Sequence, residues 1–426
     1  MTWLKVKAGA LQLTMFIVVV IALLLTAFII LIHTHKRFRL QTDYVKETIV
    51  NTEIGIDYVL QNDILQNDTI SIDLKGDHYK TVKIYRDHWG IFEKVISISK
   101  IKHNIFKKVA LIGASQSKTN RTALYVEDNN KPLVVVGNTK IQGITYLPKQ
   151  GIRTGNISGH SYYGNQLIYG ISKTSKTELP KLLNETLKHI QNIQNTIEFT
   201  NKEEFIDIGK IRIHQNSFYN PLQVVYGHTD IFLSEVSLTG HILVQSKTKI
   251  VVGASSNLKD VILIAPEIEI KNNTQGTFQV FATKQITVGN HCKLDYPSAL
   301  VLNEDSKNDN VVVQSNYQKE TPCIKLDKKT EIRGSIIYLG NTKNYKTQVF
   351  IDENTKVIGE VYCSQNLELL GSVYGSVFTS NFIANQSGSS YQNHLYNATI
   401  SIDGLPEEYV GLPFENSKKD IVKWLY

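Results

Sequence analysis

The chain has 426 residues, with 46 Lys and Arg against 39 Asp and Glu, a formal net charge of +7 and 42% hydrophobic residues. That balance excludes wholesale disorder, and the basic excess is spread along the chain like a solvated surface, which gives no nucleic-acid footprint. Three cysteines, Cys292, Cys323 and Cys363, are too few for a disulfide framework and too widely spaced for a zinc knuckle.

Residues 8–32 carry no charge, and their centre reads FIVVVIALLLTAFIILI. At about 1.5 Å rise per residue such a helix spans a hydrocarbon layer of about 30 Å. The polar interruptions are Gln12, Thr14 and Thr26. A cleaved secretory signal would have a shorter apolar region and a small-x-small site, which is not evident here. Lys5 and Lys7 precede the span, and Lys36, Arg37 and Arg39 follow it. The positive-inside comparison is nearly balanced and leans toward a cytoplasmic C-terminal part, so charge alone does not set the compartment. Beyond the span, Phe38, Val45, Ile49, Ile56, Val59 and Leu60 recur at spacings of one helical face. No Gly or Pro interrupts residues 32–54. The pattern predicts one helix from Ala10 to Leu60, half in lipid and half outside, with Gly55 its weakest point.

The stretch KAGALQLTMFIVVVIALLLTAFIILIHTHKRFRL, followed by NTEIGIDYVL, resembles the N-terminus of minor pilins and pseudopilins of type IV pilus and type II secretion systems. Lys5, Lys7 and Gly9 match the basic leader and its last residue. The resemblance implies processing between Gly9 and Ala10. It covers about the first sixty residues, and the acid usual at the fifth mature position is replaced by Thr14.

From Thr69 to Asp128 the pattern changes to short runs, TISIDL, YKTVKIYR, GIFEKVISISKI, KKVALIGA and TALYVED, divided by turn-rich pieces. These predict about five antiparallel strands, with Trp89 and Phe92 as core aromatics. Further on a triplet recurs: apolar, any, Gly, any, then an apolar residue, Thr or Ser. It centres on Gly143, Gly159, Gly240, Gly334, Gly359 and Gly371. Alternating strands joined at glycine corners predict stacked rungs that share one core, a parallel β-helix. A β-sandwich would show more Asn-Gly or Asp-Gly hairpin signals. The stretch TKVIGEVYCSQNLELLGSVYGSVFTSNF also resembles bactofilins, polymer-forming β-helix proteins, a resemblance of architecture that implies no residue's role. Leu179, Leu182, Leu183, Leu187, Ile190, Ile193 and Ile197 form a helical stripe with Pro180 in the first turn, predicting a helix over 177–197 that caps an end or side of the stack. The tail from Leu405 is expected to fold over the last rung.

The fold class read from the sequence is therefore mainly β. A single transmembrane helix (1–33) continues into an amphipathic helix (34–65). A small pilin-like β segment follows (66–130), then a parallel β-helix (131–404) with the inserted helix, and a tail (405–426). No catalytic, metal or cofactor site is expected, and the chain is read as no enzyme. Glu267 and Glu269 read as the solvated side of a strand, and Asp305 and Asp309 as part of a surface loop. His228, Asp230 and His241 lack metal-motif spacing. The 21 tyrosines suit strands or a contact surface. The expectation is a structural or assembly component of an envelope apparatus in the bacterial inner membrane, its head extracytoplasmic. Its partners are the bilayer and other envelope proteins, with self-association or carbohydrate as further partners and no nucleic acid. The rival readings are a cytoplasmic membrane-anchored scaffold that polymerises, and a carbohydrate-binding or carbohydrate-active β-helix.

Overall fold

The computed structural model describes residues 8–62, 69–72, 79–117, 119–193, 205–304, 322–341, 344–415 and 417–426. The protein is mainly β, and the described residues include two α-helices. It divides into two compact units, and β-strands run through the division, so that residues 86–95 belong to the second unit while the outer parts of the same hairpin belong to the first.

The first unit is built on helix α1 (Ala8–Gln61), 54 residues without a break, about 80 Å long at the standard rise. Its packed part buries Thr48, Asn51, Thr52, Gly55, Ile56 and Val59, a three-and-four spacing that makes one stripe. This stripe includes Ile56 and Val59 of the apolar face expected from the sequence but leaves out its N-terminal members. Phe38 is 68% and Val45 45% exposed. The reason is close approach. A Cβ added at Gly55 would lie 2.1 Å from Ser97 Oγ and 3.1 Å from Val82 Cγ1. A seam that tight takes small residues where the backbones meet, at Thr48, Thr52 and Gly55, with Ile56 and Val59 buried beside them. The buried hydroxyls turn back on the helix: Thr48 Oγ1 donates to the Tyr44 carbonyl at 2.6 Å and Thr52 Oγ1 to that of Ile49 at 2.5 Å. Gly55 is thus the seat of the helix on its sheet.

That sheet runs in the order β1 (Thr69–Ile72), β2 (Lys80–Trp89), β3 (Phe92–Ile101), β4 (Asn104–Ser115). β1 pairs antiparallel with β2 from Thr69 opposite Tyr85 to Ile72 opposite Val82. The expected fifth strand, β5 (Thr122–Val126), is elsewhere: it pairs in parallel within the large stack. In the second unit the Val109–Ser115 end of β4 pairs antiparallel with Val410–Gly411 and Lys418–Leu425. The tail therefore pairs along an edge strand of the small sheet, which has the same need of a partner as an open rung.

The stack is a three-sided parallel coil. Ile213–Asn216, Gln223–Gly227 and Ile231–Leu233 make one turn. They pair in parallel with Ser237–Gly240, Ile242–Ser246 and Lys249–Val252 of the next. Each further turn pairs with the one before, and Lys356–Leu369 and Ser372–Gln386 each bend through a whole turn as one strand. Pairing that advances one turn at a time describes a solenoid, since a barrel would close each strand on its immediate neighbours.

The stacking order is not the chain order. One inner column runs Leu294, Ile332, Val357, Val373, Ile400, Ile141, each directly paired with the next and each fully buried. A neighbouring column runs Val361, Val377, Leu124. The turns made by 122–174 thus stack on the far side of those made by 372–401. The chain leaves the stack at Ser172–Thr174, which pairs with Ile144–Leu147, and is back at the opposite end of the pairing order by Phe205, which bridges Val224 in parallel. The connection carries helix α2 (Asn184–Ile193), which buries Thr186 and Ile190. It is shorter than the predicted 177–197. Leu182 is instead bridged antiparallel to Phe414, and the Leu183 amide donates to the Pro413 carbonyl at 2.8 Å, so this stretch is extended. Positions 194–197 lie outside the described residues.

Candidate functional site

Gly9 and Ala10 lie in the first turn of α1, and nothing stands within 4 Å of a Cβ added at Gly9. Lys5 and Lys7 lie outside the described residues. The apolar half of α1 is long and greasy enough to cross a membrane and is entirely unburied. Its hydroxyls are satisfied within the helix, Thr14 Oγ1 on the Leu11 carbonyl at 2.9 Å and Thr26 Oγ1 on that of Ala22 at 2.8 Å, as a water-free surrounding requires. α1 is the candidate membrane anchor among the described residues.

The glycines singled out by the repeat occupy different places. Gly334 (φ +144°) and Gly359 (φ +149°) stand in register at one corner of the stack, preceded by Ser298 and followed by Gly375 (φ +146°). A Cβ on Gly334, Gly359 or Gly375 would sit 1.9 Å from the carbonyl oxygen of the residue in the turn before. Gly240 (φ +95°) stands similarly over the Asn216 carbonyl. Gly143 (φ +126°) packs on Ala123, with its own carbonyl under Gly170. Gly159 (φ +86°) turns the short hairpin Asn156–Ile157/His160–Ser161, with nothing within 4 Å. The φ of Gly371 is ordinary, and its added Cβ would face the Thr355 carbonyl at 2.5 Å. Gly375 centres a further copy of the triplet, Val373-Tyr-Gly375-Ser-Val377, which overlaps the copy at Leu369–Val373.

The second unit contains a buried polar seam where the 86–95 hairpin tip meets the stack. The Ile91 amide donates to Gln279 Oε1 at 2.9 Å, and Gln279 Nε2 donates back to the Trp89 carbonyl at 3.1 Å. Trp89 Nε1 donates to the Asp260 carbonyl at 3.2 Å, and its ring lies 4.9 Å from that of His241 and 5.3 Å from Phe218. Arg86 holds Glu93 by two 2.9 Å bonds and reaches Glu185 of α2 at 2.5 Å. Asp260 accepts from Lys423 Nζ at 2.6 Å and from the Tyr426 hydroxyl at 3.1 Å. Burial pushes His88 down to about 4, helped by Arg86 and Lys94 and opposed by Asp87. Burial pushes His189 to about 3 and His241 to about 4. Burial also lowers Lys94, against the pull of Asp87. The seam fastens hairpin tip, α2 and tail to the stack.

The chemistry candidates of the sequence do not converge. Glu269 is paired with Lys249 at 2.6 Å and with Lys271, and those bonds hold its carboxyl below the usual range. Asp230 accepts from Thr248 Oγ1 at 2.6 Å, His228 lies edge-on to Tyr226, and His241 instead faces Lys94 Nζ at 3.2 Å. Asp305 and Asp309 lie outside the described residues. Among the described residues no group of three or more His, Cys, Asp or Glu is placed to hold a metal. Burial raises all three thiols, Cys323 to about 11 and Cys363 to about 12, which disfavours the thiolate.

No family model and no curated protein matches the sequence. Among solved structures the chain is similar to the competence-associated pilin ComZ from Thermus thermophilus, at 11% identity over 85% of this chain and 86% of that one, with a TM-score of 0.19. At that score the likeness carries no argument about fold or function.

Proposed function

We propose that this is a single-span protein of the bacterial inner membrane whose head lies outside the cytoplasm. It serves as a non-enzymatic structural or assembly subunit of an envelope apparatus, in the manner of a minor pilin or pseudopilin. The observation that carries this reading is α1 itself. One unbroken helix has a bare apolar half and a half seated on a small antiparallel sheet through Gly55. Val50 and Ile54, exposed at 52% and 42%, stand on the side of that helix away from the packed stripe and offer a surface to other envelope proteins or a second copy. Support for a body that touches other molecules without transforming them comes from the paired acids and raised thiols.

The test is mass spectrometry of the mature N-terminus, combined with protease treatment of intact spheroplasts. A chain beginning at Ala10 with a head digested from outside is the expected result. A head digested only after lysis overturns the extracytoplasmic placement, and a chain retaining residues 1–9 overturns pilin-type processing.

A further inference from the structure

In the first unit, β3 runs against α1 and delivers its end toward the apolar half of the helix. Ser97 packs on Gly55, and Lys102 Nζ donates to the Tyr44 hydroxyl at 2.9 Å. From Gly55 back to Tyr44 the helix covers about 16 Å, and from Ser97 on to Lys102 the strand covers about 16 Å. The two elements stay in step as far as the tight turn between Ile101 and Asn104, where Lys102 has a φ of +53°. Lys102 Nζ also stands over the rings of Tyr44 and Tyr79, 4.5 and 5.3 Å from their centroids. These contacts tie the turn to the side of the helix.

We propose that this β3–β4 turn is a second membrane contact, resting on the anionic headgroups of the bilayer that α1 crosses. Its composition fits that surface. Residues 96–108 carry Lys100, Lys102, Lys107 and Lys108 and no acid. Ile105 and Phe106 are exposed among them, at 57% and 37%. Apolar side chains set among lysines suit the headgroup boundary, where the cations meet anionic lipid and the apolar groups sink below it. On the lipid side of the turn the helix adds Lys36, Arg37 and Arg39 against the single acid Asp43, and Glu47 is paired with Lys80 at 2.5 Å.

Distance selects the bilayer over a folded partner. Tyr44 stands about 18 Å along the helix from Ile32, the last residue of the uncharged run. The headgroup layer fills about 6 Å of that. The remaining 12 Å or so is the width of one bare helix. Residues 8–32 form about 37 Å of helix, against a hydrocarbon layer of about 30 Å. Such an excess is taken up by tilt, and interfacial Tyr, Lys and Arg anchors decide its direction. A tilt toward the side that carries Tyr44 and Lys102 lowers the turn onto the lipid. The inference rests on α1 as the anchor and is independent of compartment and of processing.

The experiment places the full chain, one copy per lipid nanodisc, in phosphatidylcholine alone or mixed with phosphatidylglycerol, and follows amide hydrogen exchange. Exchange across 101–107 should slow at least about fivefold when the anionic lipid is present, the worth of about one cation at such a surface. Lys100→Glu/Lys107→Glu should abolish the slowing, and Lys356→Glu, on the stack, should leave it in place. Equal melts in detergent show that the variants keep the fold. Equal exchange in the two lipids, or slowing that survives the double charge reversal, overturns the proposal. Slowing seen only in nanodiscs that hold two copies assigns the turn to a contact between chains and overturns it too. A chain that fails to enter nanodiscs overturns the anchor reading as well, whereas one that enters and shows equal exchange overturns this inference alone.

Discussion

His88 and His189 meet edge to face inside the second unit, their ring centroids 4.6 Å apart. One imidazole comes from the hairpin tip and the other from α2, and neither nitrogen of His88 has a hydrogen-bond partner. Both rings are therefore held neutral by burial, with the cations Arg86 and Lys94 close to His88.

This pair makes the seam acid-sensitive. The folded values lie near 4 and 3, below the ordinary value of about 6.5 that an unfolded chain would show. Between pH 6.5 and 4 the unfolded state binds more protons, so stability is full above 6.5 and is lost as pH falls through that window. Thermal melts of the full chain should drop by several degrees from pH 7.5 to pH 5, and His88→Leu should flatten the dependence. An equal drop in His88→Leu would show that the His88 ring is not its source.

Gly55→Ala adds a methyl where Ser97 Oγ stands 2.1 Å away. Ala favours a helix over Gly by about 1 kcal/mol, but overpacking a tight seam costs about 1–3 kcal/mol. Net loss of stability is expected in chemical denaturation of the first unit. The double variant Gly55→Ala/Ser97→Gly should lose less than the sum of its parts. A Gly55→Ala protein as stable as the parent would show that the helix is not seated there.

The corner column makes a graded prediction. In Gly359→Ala the new Cβ would meet the Gly334 carbonyl at 1.9 Å, so the strand must shift and the turns above and below with it. In Gly159→Ala the cost is confined to a positive φ with open space around it, about 1 kcal/mol. Urea unfolding should rank Gly359→Ala far below Gly159→Ala, and equal loss would contradict the corner role.

Stacking out of chain order is testable at Ile400, which is fully buried and paired to Val373 on one side and Ile141 on the other. Ile400→Asp places a carboxylate in the joint, a change worth several kcal/mol. Hydrogen exchange should then speed up in 122–174, more than two hundred residues upstream, while 257–303 stays protected. Loss confined to the neighbourhood of residue 400 would mean that the two segments do not share a core.

Much of the architecture is legible in local pattern. Residues 8–32 leave no alternative to an apolar helix, and Ile332, Val357 and Val373 announce their inward side by alternation with their neighbours. The face that α1 buries was less legible, because Thr48, Asn51, Thr52 and Gly55 are not what a hydrophobic stripe looks like. The polar seam was illegible. Trp89, Gln279, His241 and Asp260 are up to 190 residues apart in pairing, and each reads singly as an ordinary core or surface residue. The outward row Glu269, Thr287, Lys325, Phe350, Glu368 is illegible for the same reason, since its members become neighbours only when turns are laid in register.

By itself the sequence determined the kinds of element: a span-length helix carried on beyond its apolar half, short alternating strands, and glycine corners between them. Those follow from periods of a few residues, set by backbone geometry and side-chain size. The tertiary structure alone decided which turn lies on which. Every turn offers nearly the same apolar inner face, so local pattern fits any order. The order in which Ile400 meets Ile141 is chosen by packing between distant segments.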